Sequence, residues 1–152
     1  MGYPMAKKEG VELFRLAARR EFAFLVGEFG FTEERLPKGK NEFAVWLAND
    51  TTRVVIESIN YGLHARVALG KAASKDTFEN YDLGDLVKIC CTELETRSAL
   101  SEAGALGELP RLADLLRQVG SPVLRGDFHL FPSIQARVDQ RLAEWRAQQG
   151  KT

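Results

Sequence analysis

The sequence predicts an α+β fold: an N-terminal helix, a three- or four-stranded antiparallel meander, then three or more C-terminal helices packed on one sheet face. Three observations carry that expectation. Apolar residues near the start recur at helical spacing. Residues 42–69 hold two hairpins whose buried faces agree, and leucine-rich helical stripes return after residue 82. A length of 152 residues suits one domain over 1–152, with residues 1–6 and 148–152 expected to fray.

Val11, Phe14, Ala18, Phe22, Leu25 and Phe29 stand three or four apart, which puts them on one stripe of a helix over residues 6–28. Glu12, Arg15 and Arg19 fall on a wetter face. Gly30 suits a left-handed cap, and the charged run FTEERLPKGKN reads as a loop.

The strands follow from side-chain parity. A two-residue turn at Asn49-Asp50 sets Trp46 opposite Arg53, Val45 opposite Val54 and Phe43 opposite Ile56. A second turn at Tyr61-Gly62 sets Ile56 opposite Val67, Val54 opposite Leu69 and Glu57 opposite Arg66. Both hairpins then place Phe43, Val45, Val54, Ile56, Val67 and Leu69 on one face, against the helices. A short fourth strand is expected at residues 77–81.

Asp82 can cap a helix carrying Leu83, Leu86, Val87, Cys90 and Leu94. Residues 96–108, rich in Ala, Gly and Glu, suggest an irregular or short helical connection. Pro110 suits the first turn of a helix bearing Leu112, Leu115, Leu116 and Val119, with Gly120 ending it. The last helix starts at Pro132 and shows Ile134, Val138, Leu142 and Trp145 at helical spacing.

Composition removes several classes of function. Basic and acidic residues balance at 21 each, and the acidic middle of the chain lies between mildly basic ends. Arg137 and Arg141 lie one turn apart on the last helix, with Arg146 beyond and Arg111, Arg117 and Arg125 before them, but Asp139 and Glu144 interleave and no helix-turn-helix or RNA-binding motif accompanies them. Nucleic acid is therefore not an expected partner. No apolar run approaches the ~20 residues of a spanning helix, and MGYPMAKKEG lacks a signal-peptide apolar core. The expectation is a cytoplasmic chain without membrane contact. Cys90 and Cys91 are adjacent, the pattern of packed rather than metal-binding or redox cysteines, and no metal-ligand spacing occurs. Neither a glycine-rich phosphate loop nor a G-x-S-x-G elbow is present, so no cofactor and no enzymatic activity are expected.

Two histidines could still carry chemistry. His64 alternates onto the outer sheet face with Trp46, Glu57 and Arg66, a set able to move protons. The competing reading is a Glu57–Arg66 cross-strand pair beside an exposed imidazole, on a face without a pocket. His129, in GDFHLFP, can bond to backbone or stand at the mouth of a crevice.

That outer face is the candidate protein-binding surface: Trp46, Arg53, Val55, Glu57, Ile59, His64 and Arg66. Trp46 and Arg53 can stack, and both residue types are enriched in interface cores. Such a patch calls for a cover: a protein partner, a second copy in a homodimer, or a folded-back loop such as residues 31–41.

The phrases REFAFLVGEFGF, EFAVWLAND, TRVVIESI, ARVALG, YDLGDLV and LADLLRQVGSPVLRGDFHLF resemble, in that order, a widespread type of small uncharacterised bacterial protein. The resemblance spans most of residues 11–131. It implies an α+β fold and assigns no activity and no functional residues; some bacterial proteins of similar build are immunity-like binders of toxins. The expectation is a non-enzymatic protein-binding module, immunity-like or a small regulator. The alternative is a small-ligand binder or enzyme using a crevice near His129.

Overall fold

Phe22 divides the first apolar stripe in two. The computed structural model describes residues 7–72, 78–90 and 104–150. In it, helix α1 (Lys7–Glu21) and helix α2 (Ala23–Phe29) meet at Phe22, whose backbone leaves helical geometry at φ −104°, ψ 20°. Across the bend Phe14, Ala18, Phe22 and Leu25 are buried together. Gly30 closes α2 in the left-handed conformation at φ 70°, the region open to glycine at least cost.

Among the described residues the sheet has five antiparallel strands in chain order: β1 (Thr32–Glu34), β2 (Ala44–Ala48), β3 (Thr52–Ile59), β4 (His64–Lys71) and β5 (Asn80–Asp82). β5 is the expected fourth strand, displaced towards Asp82; residue 77 lies outside the described residues. β1 comes from the charged run that reads as a loop. Its three residues form an edge, where charged side chains discourage pairing with another chain.

Register agrees with the parity argument at the second hairpin. Ile56 stands opposite Val67, Val54 opposite Leu69 and Glu57 opposite Arg66, and the turn places Tyr61 at φ 56° and Gly62 at φ 85°. The first hairpin differs by two residues: Val45 pairs with Ile56, Leu47 with Val54 and Trp46 with Val55, so Trp46 does not face Arg53. Asn49 is the reason. Its Oδ1 accepts from the amides of Thr51 and Thr52, and its Nδ2 donates to the carbonyls of Phe29 and Leu124, each at about 3 Å. Committed to those partners, Asn49 cannot occupy the turn centre, which passes to Asp50-Thr51. A shift of two preserves the face of every side chain. Val45, Val54, Ile56, Val67 and Leu69 are accordingly buried under the helices, with Phe43 half-buried beside them.

Asp82 caps α3 (Leu83–Cys90) as expected, accepting the Gly84 amide at 2.8 Å. Cys90 is exposed and disulfide-bonded, so it is not the packed thiol expected, while Cys91, Leu94 and residues 96–103 lie outside the described residues. α4 (Gly104–Val119) starts earlier than the Pro110 signal suggests and carries Pro110 in its interior. Pro110 has no amide to donate to the carbonyl of Leu106, four residues earlier. Continuing through α5 (Ser121–Leu124), the chain ends in α6 (Phe131–Gln149). The α6 stripe buries Phe131 and Ile134, but Leu142 and Trp145 are exposed because the last turns extend beyond the body. Residues 148 and 149 belong to that helix instead of fraying. No helix among the described residues is long and apolar enough to cross a membrane.

Candidate functional site

The outer sheet face is largely closed by the chain itself. Ala44, Trp46, Val55 and Ala68 form a second small core, over which Leu36 and Phe78 pack. Trp46 is 6% exposed, and its ring lies 5.8 Å from that of Phe78. Of the covers open to Trp46, the 31–41 segment supplies Leu36, so the exposed patch expected around Trp46 and Val55 is not available to a partner or a second copy. Arg53 does not stack on Trp46. Buried to 5% exposure, it forks onto Glu34 with Nε–Oε1 at 2.7 Å and lies over the Phe78 ring.

The lower half of the face is half-exposed: Glu57, Ile59, His64 and Arg66. Arg66 gathers Glu57 at 3.2 Å, Asp82 at 3.1 Å and Asn80 at 2.8 Å, so the cross-strand ion pair is present. His64 turns away from it. Its Nδ1 meets Oε1 of Glu108 on α4 at 3.0 Å, and the same oxygen accepts the Ala65 amide at 3.1 Å. The acid–base set of His64, Glu57 and Arg66 is therefore not assembled. Glu108 escapes sequence reasoning because it falls in the stretch that reads as irregular, although its position two turns before Leu115 could have put it on the buried face of a longer helix.

His129 lies on the open surface and bonds Asp127 Oδ1 through Nδ1 at 2.7 Å. That bond, helped by the His129 amide, holds the Asp127 carboxyl below the ordinary carboxylate range. His129 is not among the residues that bound the neighbouring depression, but Phe128 and Phe131 are. With Tyr81 and Lys71 they bound a depression of about 590 Å³, the Tyr81 and Phe131 rings lying 4.8 Å apart. Beyond Tyr81 and Gln135, which both depressions share and which are bonded to each other at 3.0 Å, a second crevice of about 560 Å³ opens between β5, α3 and α6.

This second crevice is built from charges. α6 presents Arg137 and Arg141 one turn apart, α3 presents Asp85 and Lys88 one turn apart, and Arg66 and Asp82 close the sheet side. Four cations stand against two carboxylates. Asp85 is 8% exposed and is held by Arg141, with Arg137 further off. Together the two depressions make one groove, aromatic at the start of α6 and cationic along its middle. The arginine stripe of the last helix was legible in the sequence, but not the acidic cap region that folds against it. Among the described residues no cluster of His, Cys, Asp or Glu has the makings of a metal site. No family model, curated protein or solved structure matches the chain.

Proposed function

We propose that the chain is a cytoplasmic, non-enzymatic protein-binding module of the immunity-like kind, and that it captures an acidic segment of a partner protein in the groove along α6. The observation that carries this is the cationic surplus of the crevice, where Arg66, Lys88, Arg137 and Arg141 stand against Asp82, Asp85 and the Glu57 that Arg66 also holds, beside an aromatic depression. Aromatic side chains and arginine are the types that dominate interface energetics, and charge complementarity selects the partner. The two histidines are engaged elsewhere, with Glu108 and with Asp127, and neither lines the groove.

Affinity purification from the native cell tests this reading when run in parallel with Lys88→Glu/Arg141→Glu. The expected result is a stoichiometric acidic protein retained by the unaltered chain and lost with the double substitution. Retention of the same protein by both overturns it. A small-ligand binder is the second reading, favoured by depressions whose volumes fall within the roughly 300–1,000 Å³ of small-molecule sites.

A further inference from the structure

We infer that the cationic end of the groove is a phosphate-monoester site whose place Asp85 partly fills from within the chain. This rests on reading the groove as a binding surface and adds the chemistry of what its charged end takes. Arg141 occupies both oxygens of Asp85, Nη1 to Oδ1 at 3.1 Å and Nη2 to Oδ2 at 3.2 Å. Arg137 is left with Nε at 3.6 Å from Oδ1, outside hydrogen-bond reach. That Nε is buried and has no acceptor among the described residues.

Asp85 meets the Arg141 fork and leaves Arg137 Nε without an acceptor, and a buried donor without an acceptor is a standing cost. The crevice therefore has room, in chemical terms, for a further acceptor. Lys88 lies one turn beyond Asp85 and lines the same space. Arg66 is already committed to Glu57, Asp82 and Asn80. The three remaining cations, Arg137, Arg141 and Lys88, exceed the single charge of Asp85 by two, and by one when Arg66 is counted together with the Glu57 and Asp82 carboxylates it holds. A phosphate monoester carries about −1.5 to −2 charge at neutral pH and three acceptor oxygens, enough to meet Arg137, Arg141 and Lys88 at once, where a carboxylate offers two. Guanidinium pairs are suited to such oxygens because their donors are fixed in a plane.

A phosphorylated side chain of a partner and a small free phosphate present the same group, and titration separates them. The full chain is titrated with inorganic phosphate, with a phosphoserine peptide containing phenylalanine, and with the unphosphorylated peptide, following arginine Nε–Hε signals by NMR. A saturable shift of the Arg137 signal with phosphate, absent with chloride at equal ionic strength, is expected. Asp85→Asn removes the internal carboxylate and should tighten phosphate binding about tenfold. If the arginines only fasten α6 to α3, that substitution leaves phosphate affinity unchanged or lower, and the inference is overturned. Lys88→Gln touches no ion pair among the described residues and should weaken binding about fivefold with the fold unchanged. It keeps the test decisive if Asp85→Asn does not fold, since an unaltered affinity in Lys88→Gln also overturns the site. A phosphopeptide bound tenfold tighter than phosphate supports the site with a protein as its source. Equal affinities support it with a small phosphate, in which case the protein-docking reading fails and the phosphate site stands.

Discussion

Phe78 lies against Trp46 with ring centroids 5.8 Å apart and planes inclined at 54°, closing the sheet face opposite the main core. The pair joins β2 to the segment that leads into β5, and Arg53 completes it by stacking on Phe78. Trp46 therefore belongs to the interior. Trp46→Ala should cost about 3–5 kcal/mol in denaturant unfolding, the range for emptying a large aromatic site. Phe78→Ala should cost less, because Phe78 is only half-buried. A double-mutant cycle should return a coupling of about 0.5–1.5 kcal/mol. Additive losses would show that the two rings are neighbours without being partners.

Asn49 ties three parts of the molecule together, and its replacement should show it. Its amide group reaches the last carbonyl of α2 and the last carbonyl of α5, while its carbonyl oxygen organises the β2–β3 turn. Thr52, fully buried, adds a parallel tie from its hydroxyl to Val123 at 2.7 Å. Asn49→Ala should destabilise by about 2–3 kcal/mol, several modest hydrogen bonds lost at once with their partners left part-buried. Asn49→Asp should be worse than a change of one atom suggests, because a carboxylate would face two carbonyl oxygens. Equal stability of the Asn and Asp forms would refute the assignment of the amide nitrogen to those carbonyls.

The residues that were legible in the sequence are those whose neighbours are local. Period-two alternation fixed which side chains of β3 and β4 face the helices, since a hairpin with a positive-φ turn at Tyr61-Gly62 admits one register. The first hairpin slipped by two because its register is set by Phe29 and Leu124, one of them 75 residues from Asn49. β1 was missed because three charged edge residues carry no apolar pattern. The groove was half legible: Arg137 and Arg141 stand one turn apart in any helical reading, but only the packing of α3 on α6 brings Asp85 and Lys88 opposite them. The stripe from Ile134 to Trp145 shows the converse, since periodicity says which side chains share a face and nothing about where the body of the protein ends.

Asp127 provides a pH test with a definite sign. Its carboxyl is held below the ordinary value first by the His129 side chain and then by the His129 amide. A depressed folded-state value means that the charged form is favoured in the fold. The contribution is present above the ordinary carboxylate range and is lost as pH falls through the depressed value. In an NMR titration, His129→Ala should move the Asp127 midpoint upward without restoring it fully, because the backbone amide still donates. No movement would show that the imidazole does not act on the carboxylate.

Glu108 fastens α4 to the second hairpin, and His64 is one of the two groups it holds there. One carboxylate oxygen, on a side chain 7% exposed, accepts both the His64 ring and the Ala65 amide. A turn earlier on α4, the Ala105 amide donates to the Gly62 carbonyl at 2.9 Å, so the helix start grips the hairpin at two points. Glu108→Ala removes the acceptor for a part-buried backbone amide and should cost about 1–3 kcal/mol. Glu108→Gln keeps an oxygen of the same reach and should lose less, about 1 kcal/mol, the difference between a charged and a neutral acceptor. Amide hydrogen exchange should report the loss locally, with faster exchange at residues 62–66 before any change in the centre of β3. His64→Asn should follow Glu108→Gln in size, since it removes one donor from a carboxylate that keeps the other. If Glu108→Ala instead leaves both stability and exchange unchanged, the contact is incidental, and His64 returns as a group free to do chemistry.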